Sequence, residues 1–200
     1  MPAPPSKPSW GSVPLDRLIV GISGASGVQY GVRALELLQG TSIETHLIMS
    51  KSAELTVHHE LDCSVDDIRQ LADVWHPVRN VGASVASGSF RTKGMLLAPC
   101  SIRTLGEITS GVTASLLTRA ADVVLKERRP LVLMVRETPL HLGHLRNMVS
   151  VTEMGAIVAP PVPAFYTQPD SIEALVTQSV ARALDLFDIP LPETHRWTES

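Results

Sequence analysis

The stretch LIVGISGASGVQYG, residues 18–31, runs from an apolar segment straight into a glycine-rich turn, and its reading decides the fold. Gly24 and Gly27 flank Ser26 just before a segment with helical periodicity. Glycines let the chain turn tightly there and bring backbone N–H groups, a hydroxyl and the positive end of a helix dipole against an anion, with no lysine required. A phosphate or a flavin ring fits such a turn, and so does plain close packing of a strand against a helix. The turn lacks the GxxxxGK[ST] pattern of a P-loop and matches the dinucleotide fingerprint poorly. A ribose-binding acid belongs at the end of the second apolar run, but Ser50 stands there and Glu44 sits at the run's other end. A mononucleotide is therefore favoured over NAD.

Further apolar runs follow at THLIMS (45–50), MLLAPC (95–100), LVLMV (131–135) and AIVAPP (156–161). Helical patterns are expected near 28–39, 52–60, 65–72, 101–110, 114–128, 141–153 and 171–187. This alternation predicts an α/β fold, a flavodoxin-like or Rossmann-like three-layer sandwich around a parallel sheet. Ligands of such sheets bind beyond the carboxyl ends of the strands. Those ends fall at Ser23–Ser26, Ser50, Pro99–Ser101, Arg136–Glu137 and Pro160–Pro161. The small-residue stretch RNVGASVASGSF (79–90) suits a loop lying close to a ligand.

With 200 residues, 44% of them hydrophobic, and a mean hydropathy of +0.15, the chain can bury one substantial core, expected as a single domain over 16–200. Residues 1–15, rich in Pro and Ser, read as a flexible extension without the apolar stretch of a signal peptide. Seventeen basic against twenty acidic residues give a net charge of -3, which argues against nucleic acid and anionic membrane as partners. The cysteines Cys63 and Cys100 have no paired spacing and read as free thiols of a cytoplasmic protein.

The motifs GISGASGVQYGVR, ASGSF, APCSIRTL, RAADVVLKERRPLVLMVRETPLHLGHLRNM and PPVPAFY occur in the order found in the UbiX family of flavin prenyltransferases, which the chain resembles over roughly residues 17–197. The resemblance implies a metal-independent transfer of a dimethylallyl group from dimethylallyl phosphate to N5 and C6 of reduced FMN. It also implies that the prenylated FMN serves a UbiD-type decarboxylase, in ubiquinone biosynthesis, and that twelve copies assemble into a dodecamer.

On the same resemblance Gly24, Ala25, Ser26, Ser50, Cys100, Ser101, Ile102, Arg103 and Arg136 contact FMN. Lys126, Arg136, Tyr166 and Arg182 hold the donor phosphate, and Glu60, Ser26 and Lys126 form the catalytic set, with Glu60 taking the proton that leaves the flavin ring carbon. Tyr166 and Arg182 are expected to complete a neighbouring subunit's site. The residues also support plainer readings. Ser50 and Ser101 suit helix capping, Cys100 suits strand-end packing, and Glu60 could be a surface group at a helix end. His58 and His59 lack a third metal ligand, and His141 and His144 are expected to pack a helix. Trp75, Phe90, Phe165 and Tyr166 are candidates for lining the site or for core packing. Two rivals remain at this level, an FMN-dependent cysteine-decarboxylase relative and a carrier that only delivers FMN.

Overall fold

Leu18, Val20 and Ile22 point to one face of the first strand and Ile19 to the other, and all four are buried. A strand apolar on both faces needs cover on both sides. In the computed structural model, which describes residues 16–194, the strands β1 (Arg17–Ile22), β2 (Glu44–Met49), β3 (Val74–His76), β4 (Gly94–Cys100), β5 (Leu131–Val135) and β6 (Ile157–Val158) form one parallel sheet in the order β3-β2-β1-β4-β5-β6. The expected extension 1–15 lies outside the described residues. Of the two sheet types the sequence left open, this is the Rossmann order, with its switch point between β1 and β4.

The helices are α1 (Val28–Leu38), α2 (Lys51–Glu60), α3 (Val65–Gln70), α4 (Ile102–Thr109), α5 (Leu116–Lys126), α6 (Leu142–Glu153) and α7 (Ile172–Asp185). Leu35 of α1, Val57 of α2 and Leu184 of α7 pack with Leu18, Val20 and Leu47 on one face of the sheet. Leu105 of α4, Leu117 of α5 and Val151 of α6 pack with Ile19, Leu97 and Leu133 on the other. The three layers expected from the alternation are present. No helix among the described residues is long and apolar enough to cross a membrane.

Two elements differ from the expectation. β3 adds a sixth strand from the three residues VWH, too few for period-two alternation to register. β6 is only two residues long, because Pro160 and Pro161 follow it and carry no N–H for the ladder. His141 also departs from its expected packing role. It is the N-cap of α6, and its Nδ1 accepts from the N–H groups of Gly143 (3.0 Å) and His144 (3.4 Å).

The edge of the sheet at β2 and β3 carries a polar chain built on two buried histidines. His46 Nδ1 and His76 Nε2 lie 2.9 Å apart, and His46 Nε2 lies 2.7 Å from Glu44 Oε1, which also accepts from Arg17 Nε. Asp73 stands nearby and accepts from both the N–H and the hydroxyl of Thr45. Burial holds both imidazoles below the usual histidine range, and the hydrogen bond with His46 holds the Glu44 carboxyl below its own. A histidine whose folded pKa is depressed destabilises the fold below the unfolded value of about 6.5, where the unfolded chain takes up protons that the native state excludes. The melting temperature is therefore expected to fall between about pH 7.5 and pH 5.5, and His76→Gln should flatten that slope. An identical slope in the variant, followed by thermal denaturation, would assign the acid sensitivity elsewhere.

Candidate functional site

At the switch point the turns after β1 and β4 separate and leave a cleft of about 330 Å³ lined by Gly24, Ser50, Ser101, Arg103 and Ser115. Its size lies within the range of about 300–1,000 Å³ typical of small-molecule sites. Three of these residues are N-caps. Ser50 Oγ accepts from the Ala53 N–H (3.0 Å), Ser101 Oγ from Thr104 (3.2 Å) and Ser115 Oγ from Thr118 (3.3 Å). The capping reading of Ser50 and Ser101 holds, and it explains the electrostatics as well: α2, α4 and α5 all begin at the cleft and turn their positive dipole ends toward it. Gly24 borders the same space. A Cβ there would lie 2.1 Å from Ser52 Cβ, so only glycine leaves this wall in place.

The glycine turn after β1 holds an anion, and the anion belongs to the chain. Glu60, at the end of α2, accepts at Oε2 from the N–H groups of Gly27 (2.8 Å) and Val28 (3.2 Å). Gly27 is the N-cap of α1 with φ 99°, a left-handed conformation that favours glycine, and it has no side chain with which to cap the helix. Glu60 supplies the missing cap from 33 residues away. Its carboxylate thereby sits on the positive end of α1 rather than in open solvent.

Ser23, fully buried at the end of β1, joins the two turns. Its hydroxyl donates to the Pro99 carbonyl (2.8 Å) and accepts from the Ser101 N–H (2.7 Å). Ser23 stands at an expected strand end, but nothing in the sequence alone marks its two bonds to the turn after β4. Ser115 stands near the start of the helix expected over 114–128, where its capping role was not anticipated.

The other candidates fall in three places. Around the cleft, Ala25 is buried, Ser26 is exposed, and Ile102 opens the first turn of α4. Arg103 is exposed and pairs with Glu107 at 2.9 Å. Cys100 is fully buried and its thiol is pushed far up by burial, which fits packing rather than nucleophilic chemistry. Arg136 leaves β5 exposed, its N–H bonded to the Cys100 carbonyl (3.0 Å) and its charge acting on the half-buried Tyr30 hydroxyl.

Tyr166 and Arg182 come together in a separate slot of about 360 Å³ beside β6, walled by Met134, Pro160, Val162 and Leu186. Lys126 lies apart from both. It ends the eleven-residue α5, which begins at the cleft, so it stands about 16 Å away toward the opposite ends of the strands. There its Nζ meets Glu127 at 2.5 Å.

Of the aromatic candidates, Phe165 is exposed on the segment that carries Tyr166, while Trp75 and Phe90 lie outside the cleft lining. The Arg69 guanidinium stands 4.2 Å from the Trp75 ring and the Arg17 guanidinium 4.5 Å from the Phe90 ring, so both aromatics are held by cation–π contacts. No group of three or more His, Cys, Asp or Glu among the described residues could hold a metal ion.

Removing the Ser23 hydroxyl leaves the Ser101 N–H without its acceptor in a buried place. Ser23→Ala is expected to cost about 1–3 kcal/mol of stability and to weaken FMN binding, because only the Ser23 N–H to Pro99 carbonyl bond (3.2 Å) is then left between the two turns and the Ser101 N–H has no acceptor. Denaturant unfolding together with FMN titration checks this; wild-type values in both would show that the two turns hold their positions independently.

The Flavoprotein family model matches residues 11–183. The flavin prenyltransferase UbiX of Neisseria meningitidis is 59% identical over 181 residues, covering 90% of this chain and 96% of that protein. Among solved structures, AnUbiX in complex with FMN and dimethylallyl pyrophosphate aligns with a TM-score of 0.90 at 49% identity, covering 92% of this chain and 98% of that one. A dodecameric FMN-dependent UbiX-like decarboxylase from Escherichia coli O157:H7 aligns with a TM-score of 0.88 at 46% identity, covering 92% of this chain and all of that one. A strand-end cleft faced by three helix N-termini and walled by a glycine, on a chain so close to these proteins over nearly its whole length, places it by descent as well as by geometry: it belongs to the UbiX family of flavin prenyltransferases.

Proposed function

We propose that the chain joins a dimethylallyl group from dimethylallyl phosphate to N5 and C6 of reduced FMN and releases the product to a UbiD-type decarboxylase. The observation that carries this reading is the cleft itself, whose convergent helix N-termini and side-chain-free wall at Gly24 suit a flat, phosphorylated ligand. Bound reduced FMN supplies two nucleophilic positions. The N5 proton leaves with phosphate, and the proton lost at C6 balances the one taken up by the allylic double bond on ring closure.

The chain's own residues position, neutralise and move protons. Gly24, Ala25, Ser26, Ser50, the run from Cys100 to Arg103, and Arg136 hold FMN. Lys126, Arg136, Tyr166 and Arg182 bind the donor phosphate, where cations and a phenol stabilise charge as the C–O bond breaks. Glu60, held against α1 by two N–H groups, stands ready to receive the proton from C6. Ser26, at the same turn, and Lys126 complete the catalytic set. The 16–200 domain does this work, and two free cysteines suit the cytoplasm.

One subunit cannot bring these groups together, because the cleft, the Tyr166 slot and Lys126 occupy three separate places. Association of copies would unite them. α6 presents Leu142, Leu145 and Val149 as one exposed apolar stripe, and Val162 and Phe165 project from the segment carrying Tyr166, surfaces suited to contact between subunits of a dodecamer. Closed assembly would also keep water from the reacting allylic carbon.

Glu60→Gln should retain FMN and slow product formation, and Tyr166→Phe should weaken donor use. Mixing the two impaired proteins under conditions that exchange subunits is expected to raise activity above that of either parent, since some shared sites then hold both intact residues. Mixtures verified to contain both subunits yet no more active than the parents would show that each site is built within one chain.

A further inference from the structure

α7 carries one polar side chain within its buried face. Val176, Val180, Ala181, Ala183 and Leu184 are the other buried residues of the helix, and Gln178 joins them with 8% of its surface exposed. Gln178 precedes Arg182 by four residues, so the two side chains share one face of the helix, and both line the slot that holds Tyr166.

Among the described residues the Gln178 side chain has no hydrogen-bond partner, whereas Arg33, Thr177 and Ser179 around it are bonded. Nor does its amide belong with the sealed, unpaired atoms of the interior, which are Arg69 Nε, Thr92 Oγ1 and Thr194 Oγ1. The amide is therefore reached from the slot and from the adjoining cavity of about 290 Å³ near Arg33, and from little else. A buried amide left without a partner is costly, and leucine or methionine would fill the same space without that cost. The remaining walls of the slot are apolar apart from Tyr166, Ser179 and Arg182. A ligand with an apolar body and an anionic head suits such a lining.

We propose that Gln178 is a further donor-binding residue, its amide N–H donating to a phosphate oxygen of the allylic donor beside the Tyr166 hydroxyl and the Arg182 guanidinium. This rests on the reading that Tyr166 and Arg182 hold that phosphate. A neutral amide adds a donor without adding charge. A carboxylate at the same position would repel the anion.

The test is steady-state kinetics of the assembled enzyme with reduced FMN and varied dimethylallyl phosphate, for the wild type, Gln178→Leu, Gln178→Asn, Gln178→Glu and Arg182→Ala. Losing one hydrogen bond to a charged group corresponds to about a tenfold change in affinity. Gln178→Leu is therefore expected to raise the donor KM about tenfold, with the loss falling on KM more than on kcat and FMN retention unaltered. Gln178→Glu should raise it further, and Gln178→Asn should fall between wild type and leucine. A wild-type donor KM in Gln178→Leu, with a raised one in Arg182→Ala, would overturn the role of Gln178 and leave the slot as the donor site. Unaltered KM in both would remove the slot itself from donor binding, and the role of Gln178 with it. Should the leucine variant fail to assemble or to keep FMN, Gln178→Glu decides, and a normal donor KM there overturns the proposal.

Discussion

A buried serine hydroxyl at the end of β1 holds the two halves of the cleft in register. Ser23 Oγ gives its proton to the Pro99 carbonyl and receives the Ser101 N–H, so the turn after β1 and the turn after β4 cannot move apart without exposing a polar group that has no other partner. The Rossmann order makes this tie decisive. β1 and β4 are neighbours at the point where the chain reverses its winding, and their turns diverge to opposite faces of the sheet. Without the hydroxyl the two turns would be joined at their base only by the bond from the Ser23 N–H to the Pro99 carbonyl. With it, the caps of α2, α4 and α5 face one common space.

Glu60 extends the same logic to α1. A glycine is needed at position 27 for its left-handed backbone, and that choice removes the side chain that would have capped the helix. A carboxylate from the end of α2 fills the role, which links the stability of α1 to the placement of a candidate proton acceptor. Lys126 illustrates the opposite arrangement. α5 carries it away from the cleft toward the opposite ends of the strands, so a role at the cleft would depend on where a neighbouring subunit sits.

Much of this architecture was legible in the sequence because the signals are local. The runs at 18–23 and 131–135 were apolar on both faces and became central strands, and serines at 50 and 101 marked helix starts that the structure caps as anticipated. What escaped depends on contacts distant along the chain or on very short elements. β3 has three residues, and no periodicity can announce it. The bond from Glu60 to the turn at Gly27 is set by the packing of α2 beside α1, which spacing alone does not reveal. His141 looked like a packing residue because histidine is an uncommon cap; an extended backbone at the helix entrance lets its ring nitrogen accept the first N–H groups. Phe90 and Trp75 were drawn toward the site by the scarcity of aromatic rings, while the structure stacks each against an arginine.

The cleft joins an allylic group to a flavin rather than using the flavin to act on another substrate. Anaerobic incubation of the assembled protein with reduced FMN and dimethylallyl phosphate, followed by mass spectrometry of the released flavin, tests it most directly. The expected product is a flavin heavier by one five-carbon unit, with phosphate released in equal amount. A flavin of unchanged mass, from protein shown to have bound both substrates, would contradict it.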